Sequence, residues 1–218
     1  MLGCDWPDFY FCRAEGMPVD VARNYLVKKF LSSACDHMLM IDSDARWGPR
    51  AVKALAAQDQ AVISPCIYRR ALPPSPTFGN FHSMNGDAHV YDFGPSIQAV
   101  LEKANKRKLD LTVENIAILD RDEGDMFEVD GVGAHFLMVR RDVLERVGPD
   151  PFQVTEGAAG EDFYFCRRVK EAGFHIFVDL AVQTGHIIGP GFDYGLREFL
   201  AFKKFTKELD EKHDYWEL

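Results

Sequence analysis

Short apolar runs alternate with segments of helical periodicity between residues 8 and 68, and this alternation restricts the fold more than any other feature. The runs "DFYFCR" (8–13), "HMLMID" (37–42) and "AVISPCIY" (61–68) predict three buried strands. Between them, "VDVARNYLVKKFLSSA" and "AVKALAAQ" predict two helices, the second with Pro49 in its first turn. Such alternation favours an α/β domain whose central sheet is mixed, mostly parallel and flanked by helices.

The second half of the chain has a different pattern. Two short strand candidates surround Asn85–Gly86, which predicts a small antiparallel hairpin insertion. Residues 95–108 predict a helix, "VENIAILD" and "MFEVDGVGAHFLMVR" predict strands, and "RDVLERVG" predicts a short helix. A helix from Glu161 to about Ala172, a strand "HIFVDL", and a C-terminal helix with a tail over 193–218 complete the prediction.

The charge and cysteine content exclude several classes of protein. A formal net charge of −9 argues against a general nucleic-acid-binding surface. The five cysteines form no CxxC pair and leave one over, so we expect reduced thiols and no disulfide framework or zinc site. No signal-peptide pattern and no apolar run of membrane-spanning length is visible, which gives a cytoplasmic location as the expectation.

Two carboxylates, Asp42 and Asp44, follow the strand predicted over 37–42, and one small residue separates them. Open α/β sheets bind ligands at the carboxyl ends of their strands. Two oxygen ligands at one point suit Mg²⁺ or Mn²⁺, which can in turn neutralise a diphosphate. The alternative is a solvated turn in which Asp44 caps the helix near Pro49.

Two further segments carry candidate site residues. In "GAAGEDFYFCRRV", Glu161 and Asp162 open a helix, where they act either as stabilising first-turn acids or as a general base facing a cleft. In "QTGHIIG", His186 is predicted to lie in a glycine-flanked loop after a strand, a position suited to a ligand. The other histidines are expected to be structural (His37, His135 and His175) or on the surface (His82, His89 and His213).

These segments occur in the order strand–DxD, "GVGAHFLMVRRDVL", Gly-Glu-Asp opening a helix, and strand–loop–His. The ordered set, from about Phe9 to Gly189, resembles the GT-A fold nucleotide-sugar-dependent glycosyltransferases of the family-2-like, bacterial and phage type. The resemblance implies that Asp42 and Asp44 form the DxD motif and that His186 completes the site of Mn²⁺ or Mg²⁺. It also implies that Asp162 is the catalytic base of an inverting enzyme, with Glu161 as the substitute.

The resemblance implies a donor, a UDP- or GDP-sugar, and a set of residues that bind it. That set is Arg23, Asn24, Asp42, Ser43 and Arg69, with Arg70 beside Arg69 as a further contact to diphosphate or acceptor. Gly131–Ala134 would pack against the donor sugar and the acceptor. One domain is implied over 1–218, with a nucleotide-sugar-binding half (1–70), an acceptor and catalytic half (71–192) and a C-terminal helix and tail (193–218). Such enzymes usually begin with one more strand and helix that hold part of the base. Two expectations follow: either the sequence lacks roughly one strand–helix unit, or this chain builds its base pocket differently.

Two alternatives stay open at the level of sequence. A haloacid-dehalogenase-like phosphatase also places DxD after a strand, but its pattern has Thr or Val where this chain has Arg46. A non-catalytic nucleotide- or sugar-binding module is the other. The acceptor is open as well: a glycan, a lipid-linked sugar, a protein or modified phage DNA would each fit a GT-A core.

Overall fold

A computed structural model of the chain describes residues 9–69, 77–79, 125–154, 160–189 and 192–195, together with 198 and 201. Four helices lie in these ranges: α1 (Val19–Leu31), α2 (Ala51–Ala56), α3 (Arg141–Val147) and α4 (Glu161–Glu171). The strands are β1 (His37–Ile41), β2 (Ala45–Trp47), β3 (Val62–Cys66), β4 (Phe78–Gly79), β5 (Met126–Val129), β6 (Gly131–Val132), β7 (Phe136–Arg140), β8 (Ile176–Gly189) and β9 (Phe192–Tyr194).

The main sheet is mixed, and its described strands are ordered β1-β7-β3-β8-β2, with β5 and β9 also paired to β8. The prediction of a mostly parallel sheet is wrong for the described strands, because β3–β8 is the only parallel pair of neighbouring strands among them. The cause is β7, which lies between β1 and β3 and pairs antiparallel with both. The strand before the DxD motif, β1, therefore lies at the end of this order and is not central.

The sheet curls so that its two ends meet at the DxD turn. In a flat sheet, β1 and β2 would be four strand spacings, or about 19 Å, apart. The chain joins them through Asp42–Asp44 alone, which spans at most about 14 Å. The amide of Ala45 donates to the carbonyl of Asp42 at 3.0 Å, so this connection is also a tight turn.

Alternating side chains of the strands fill two cores, one on each face of the sheet. Leu137 and Val139 of β7 pack in the core that α1, α3 and α4 cover. Phe136 and Met138 of the same strand pack in the second core with Ala51 and Leu55 of α2. The expectation of a sheet flanked by helices is confirmed.

Two local predictions differ from the structure. Residues 9–13 form no strand, and Phe9 and Phe11 are exposed, because no neighbouring strand pairs with this segment among the described residues. His186 lies within β8 and not in a loop, because β2 and β9 pair on either side of residues 184–189 and extend the strand.

Several predictions fall outside the described residues. These are the hairpin at Asn85–Gly86, the helix at 95–108, the strand "VENIAILD" and most of the C-terminal helix and tail. The described cysteines, Cys12, Cys35, Cys66 and Cys166, are free thiols, as predicted. Within the described part of the chain, every helix is too short or too polar to cross a membrane.

Candidate metal and catalytic site

The DxD turn is held against two other strands by backbone hydrogen bonds. The amide of Asp42 donates to the carbonyl of His135 at 2.9 Å, which continues the β1–β7 ladder by one residue. The amide of Ile187 donates to the carbonyl of Asp44 at 2.7 Å, next to the Ala45–His186 pair of the β2–β8 ladder. Register therefore brings the two aspartates beside two histidines that are remote in sequence.

His186 is oriented by a backbone carbonyl and faces Asp44. Its Nδ1 atom lies 3.3 Å from the carbonyl oxygen of Tyr68, and its Nε2 atom lies 2.9 Å from Oδ2 of Asp44. A carbonyl oxygen only accepts, so Nδ1 carries the hydrogen of this contact. In the neutral ring, the Nε2 lone pair then faces a carboxylate, and a positive ion or a second proton has to lie between them.

His135 has the same arrangement with its two ring nitrogens exchanged. Nε2 lies 3.4 Å from the carbonyl oxygen of Gly185, whereas Nδ1 lies 3.5 Å from Oδ1 of Asp44 and 3.7 Å from Oδ2 of Asp42. The side chain is only 6% exposed, and Nδ1 is buried without a hydrogen-bond partner. The two imidazole rings lie side by side with centroids 4.1 Å apart.

Asp44, His135 and His186 are a group that could hold a metal ion, because one ligand atom from each lies within 4.8 Å of the other two. Their chemistry fits a divalent cation, because two imidazole nitrogens and a carboxylate oxygen converge. The other nitrogen of each ring donates its N–H to a backbone carbonyl. The predicted ligands Asp44 and His186 are thus together. Asp42, the third predicted ligand, lies next to this group.

Asp42 contacts Arg23, which also contacts Glu161. The Nη2 atom of Arg23 lies 3.2 Å from each carboxylate oxygen of Asp42, and Nη1 donates to Oε1 of Glu161. Burial acts to raise the pKa of Asp42, but His135 and the guanidinium of Arg23 together hold that pKa below its ordinary value. Arg23 is buried over the ring of Phe152 and links the DxD turn to the first turn of α4.

Asp162 has the electrostatics of a general base. Burial and the adjacent charge of Glu161 raise the pKa of Asp162 to about 6, although Arg23 and the amide of Phe163 act in the opposite direction. Oδ1 of Asp162 accepts from the Phe163 amide at 2.9 Å. Its other oxygen faces Gly133, since a Cβ atom placed on Gly133 would lie 3.7 Å from Oδ2. The predicted segment Gly131–Ala134 therefore lies against Asp162.

The remaining predicted donor-binding residues are more scattered. Asn24 donates to the carbonyl of Phe152 at 2.7 Å and accepts from its amide at 3.0 Å, so both polar groups of its side chain hold the backbone. Ser43 is exposed in the DxD turn and Arg69 is exposed after β3. Arg70 lies outside the described residues. The donor contacts of Asn24, Ser43 and Arg69 stay predictions.

Sequence reasoning missed His135, which was expected to be structural. The only available signal was its position directly before the apolar run of β7, which mirrors the position of Asp42 directly after the apolar run of β1. That symmetry becomes informative only when β1 and β7 are known to pair antiparallel.

The fold and site together define a mixed α/β protein with a candidate metal site beside an acidic helix start. No protein-family model and no curated protein matches the chain. Among solved structures, "Crystal Structure of A197 from STIV" aligns with a TM-score of 0.49 and 16% identity over 83% of this chain and 73% of that one. "Crystal structure of GalNAc-T7 with UDP, GalNAc and Mn2+" aligns with a TM-score of 0.48 and 12% identity, over 79% of this chain and only 30% of that one. Both TM-scores are below 0.5, and neither likeness indicates an activity for this chain.

Proposed function

We propose that this chain is a metal-dependent glycosyltransferase that moves a sugar from a nucleoside-diphosphate donor to an acceptor hydroxyl. The observation that carries the proposal is the convergence of the DxD turn, His186 and the Arg23–Glu161 contact at one edge of the sheet. In a glycosyltransferase, this edge has to accommodate a negatively charged diphosphate leaving group and an acceptor hydroxyl. The mixed α/β architecture with a GT-A-like order of motifs agrees with this assignment.

The metal residues of the proposal are Asp44 and His186, with Asp42 beside them. When bound there, Mn²⁺ or Mg²⁺ supplies positive charge that compensates the diphosphate as it leaves. Asp42 is held by Arg23, and in this proposal it orients the ribose or the metal-bound end of the donor. The donor is a UDP- or GDP-sugar.

Asp162 is the base of the proposal, and Glu161 is the less suitable of the two acids. Glu161 is nearly buried against the guanidinium of Arg23, and this contact occupies one of its carboxylate oxygens. Asp162 has a pKa near 6, so it is ionised at neutral pH yet still basic enough to accept a proton from a hydroxyl. Attack of that hydroxyl on the anomeric carbon, opposite the diphosphate, breaks the sugar–phosphate bond and inverts the configuration.

The test uses hydrolysis of nucleotide sugars, in which water replaces the unknown acceptor. Purified protein is incubated with UDP- and GDP-sugars and Mn²⁺, and release of free nucleotide is followed for the wild type, Asp44→Asn and Asp162→Asn. We expect release by the wild type and by the control below, no release by Asp44→Asn, and release by Asp162→Asn that is slower by roughly 10²–10⁴-fold. His175→Gln is the matched control, since His175 is exposed and contacts Glu128.

Two results would replace this proposal by another. Release of phosphate from simple phosphoesters, with a phosphoaspartate at Asp42, would identify a haloacid-dehalogenase-like phosphatase. Tight donor binding without any turnover, in the presence of a panel of acceptors, would identify a binding module.

A further inference from the structure

We infer that His135 is a direct ligand of the metal ion and that the ion is held by Asp44, His135 and His186, a two-histidine, one-carboxylate set. This inference deepens the proposed function, on whose metal site it rests, and it changes the ligand set that the sequence predicts. His135 takes the place of Asp42. It also changes the expected metal: a first-row transition-metal ion such as Mn²⁺ is favoured, and Mg²⁺ is disfavoured.

The burial of His135 is the first reason. A ring nitrogen that is buried, has no hydrogen-bond partner and faces a carboxylate at 3.5 Å is a costly arrangement unless something binds it. Nδ1 faces Asp44, the same carboxylate that His186 contacts through Nε2. A cation between the three groups would satisfy both nitrogens at once.

The second reason is the orientation of the two rings. Each ring directs one nitrogen to a backbone carbonyl, Gly185 for His135 and Tyr68 for His186, and the other nitrogen to Asp44. Metal-binding histidines usually show this pattern, in which the second nitrogen donates to a carbonyl and fixes the tautomer that leaves the first one free to bind. Gly185 lies within β8 and Tyr68 lies two residues after β3, so the backbone beside the sheet holds the rings before any ion arrives.

The third reason concerns Asp42. Both of its oxygens lie 3.2 Å from Nη2 of Arg23, so its charge is already partly compensated. Among the described residues, the group whose ligand atoms approach one another contains His135 and not Asp42. We therefore assign Asp42 the role of orienting Arg23 and His135, and His135 the role of ligand.

The ligand set determines which metals bind well. Mg²⁺ prefers oxygen ligands and keeps several waters, whereas imidazole nitrogen favours the transition metals. Two imidazoles and one carboxylate therefore favour Mn²⁺, Co²⁺ and Zn²⁺ over Mg²⁺. We expect an excess of about 100-fold Mg²⁺ to leave most Mn²⁺ bound.

Pulsed electron paramagnetic resonance of bound Mn²⁺ tests the inference, because it counts coupled imidazole nitrogens without requiring catalysis. The probe is Mn²⁺ added to the full chain, with and without UDP. We expect two coupled imidazoles in the wild type, one in His135→Gln, and two in both Asp42→Asn and the control His175→Gln. We also expect His135→Gln to bind Mn²⁺ at least about 10-fold more weakly. A loss of this size is already typical when a residue that hydrogen-bonds to a metal ligand is mutated.

One coupled imidazole in the wild type, or no bound Mn²⁺ with or without UDP, would overturn the inference. The wild-type count decides even if His135→Gln fails to fold. The outcome is separable from that of the proposed function. If two imidazoles are coupled but no nucleotide sugar is turned over, the three-residue ligand set is supported and the glycosyltransferase proposal is contradicted. If nucleotide sugar is turned over but only one imidazole is coupled, the glycosyltransferase proposal is supported and the ligand set is contradicted.

Discussion

The Nη2 atom of Arg23 lies 3.2 Å from both carboxylate oxygens of Asp42, across a separation of 19 residues in the sequence. The other end of the same guanidinium contacts Glu161, the first residue of α4. One buried cation thereby couples the DxD turn to the helix that carries the candidate base. A donor site and a catalytic base have to be held in fixed relation, and Arg23 provides such a connection.

Replacing Arg23 by methionine should destabilise the protein by about 3 kcal/mol. The substitution leaves the carboxylate of Glu161, whose side chain is only 12% exposed, without its cation. Urea unfolding of metal-free protein measures the effect. Lys28→Met is the matched control, because the Lys28–Asp150 pair is solvent-exposed and its loss should cost less than about 1 kcal/mol. Equal effects of the two substitutions would contradict the role given to Arg23.

The pH dependence of nucleotide-sugar turnover should follow Asp162. A base with a pKa of about 6 is protonated and inactive below that pH, so turnover should rise through pH 6 and level off above it. Glu161→Gln removes the neighbouring charge that helps to raise the pKa of Asp162, so the rise should move to lower pH. A profile that is flat between pH 5 and 7, or unchanged in Glu161→Gln, would contradict the assignment.

The free energy of unfolding should also depend on the ionisation of Asp162, but it should fall with rising pH where turnover rises. A carboxyl with a folded-state pKa of about 6 and an ordinary value of 3.8 favours the folded state in its protonated form, and this contribution is lost as pH rises through 6. Asp162→Asn should therefore raise the unfolding free energy at pH 7.5 by on the order of 3 kcal/mol, and by close to nothing near pH 3.5. Chemical denaturation in EDTA at both pH values measures the difference. If the Asn variant were less stable than the wild type at pH 7.5, the ionised carboxylate of Asp162 would not be destabilising the folded state.

Gly160→Ala should impair catalysis as well as stability. Gly160 has a φ of +116°, and a Cβ atom there would lie 2.8 Å from Oδ1 of Asp162. Gly173→Ala is the matched control, because Gly173 has a φ of +85° with open space around it. Both substitutions should cost about 1–3 kcal/mol in unfolding free energy through backbone strain. Only Gly160→Ala should shift the pH profile of turnover, and an equal shift in both variants would argue against a direct effect on Asp162.

Asn24→Ala should weaken the fold and leave metal binding unchanged. Its side chain makes two hydrogen bonds to the backbone of Phe152 and ties residues 151–154 to α1. Losing them should cost roughly 1–3 kcal/mol. Thermal unfolding and Mn²⁺ binding measured on the same sample test both halves of this expectation. Loss of UDP binding in a variant of normal stability would instead support the donor contact predicted from the sequence.

Local periodicity was enough to predict several helices and strands. The helix that starts at Glu161, the helix that contains Arg23, and the strand that ends before Asp42 were all predicted with nearly the observed limits. In each case, apolar residues at regular spacing pack on a core that the periodicity itself implies. Asp44 and His186, which the family resemblance implied as metal ligands, do lie next to each other.

Strand order and pairing direction were not predictable in this way. The insertion of β7 between β1 and β3 depends on pairings between residues almost 100 positions apart, such as Ile41 with Phe136. This pairing is antiparallel with both neighbours, contrary to the predicted mostly parallel sheet, and it places His135 opposite Asp42. The extension of β8 through His186 likewise depends on β2 and β9. Tertiary pairing therefore brings His135 into the candidate metal group, which local sequence patterns did not indicate.

Calorimetric titration with UDP, GDP, ADP and CDP, each with and without Mn²⁺, tests the central claim most directly. The proteins compared are the wild type, Asp44→Asn and His175→Gln. The account predicts that one diphosphate binds, that binding requires Mn²⁺, and that Asp44→Asn loses it while His175→Gln keeps it. Binding that is indifferent to both Mn²⁺ and Asp44, or no binding of any of the four nucleotides, would contradict the account.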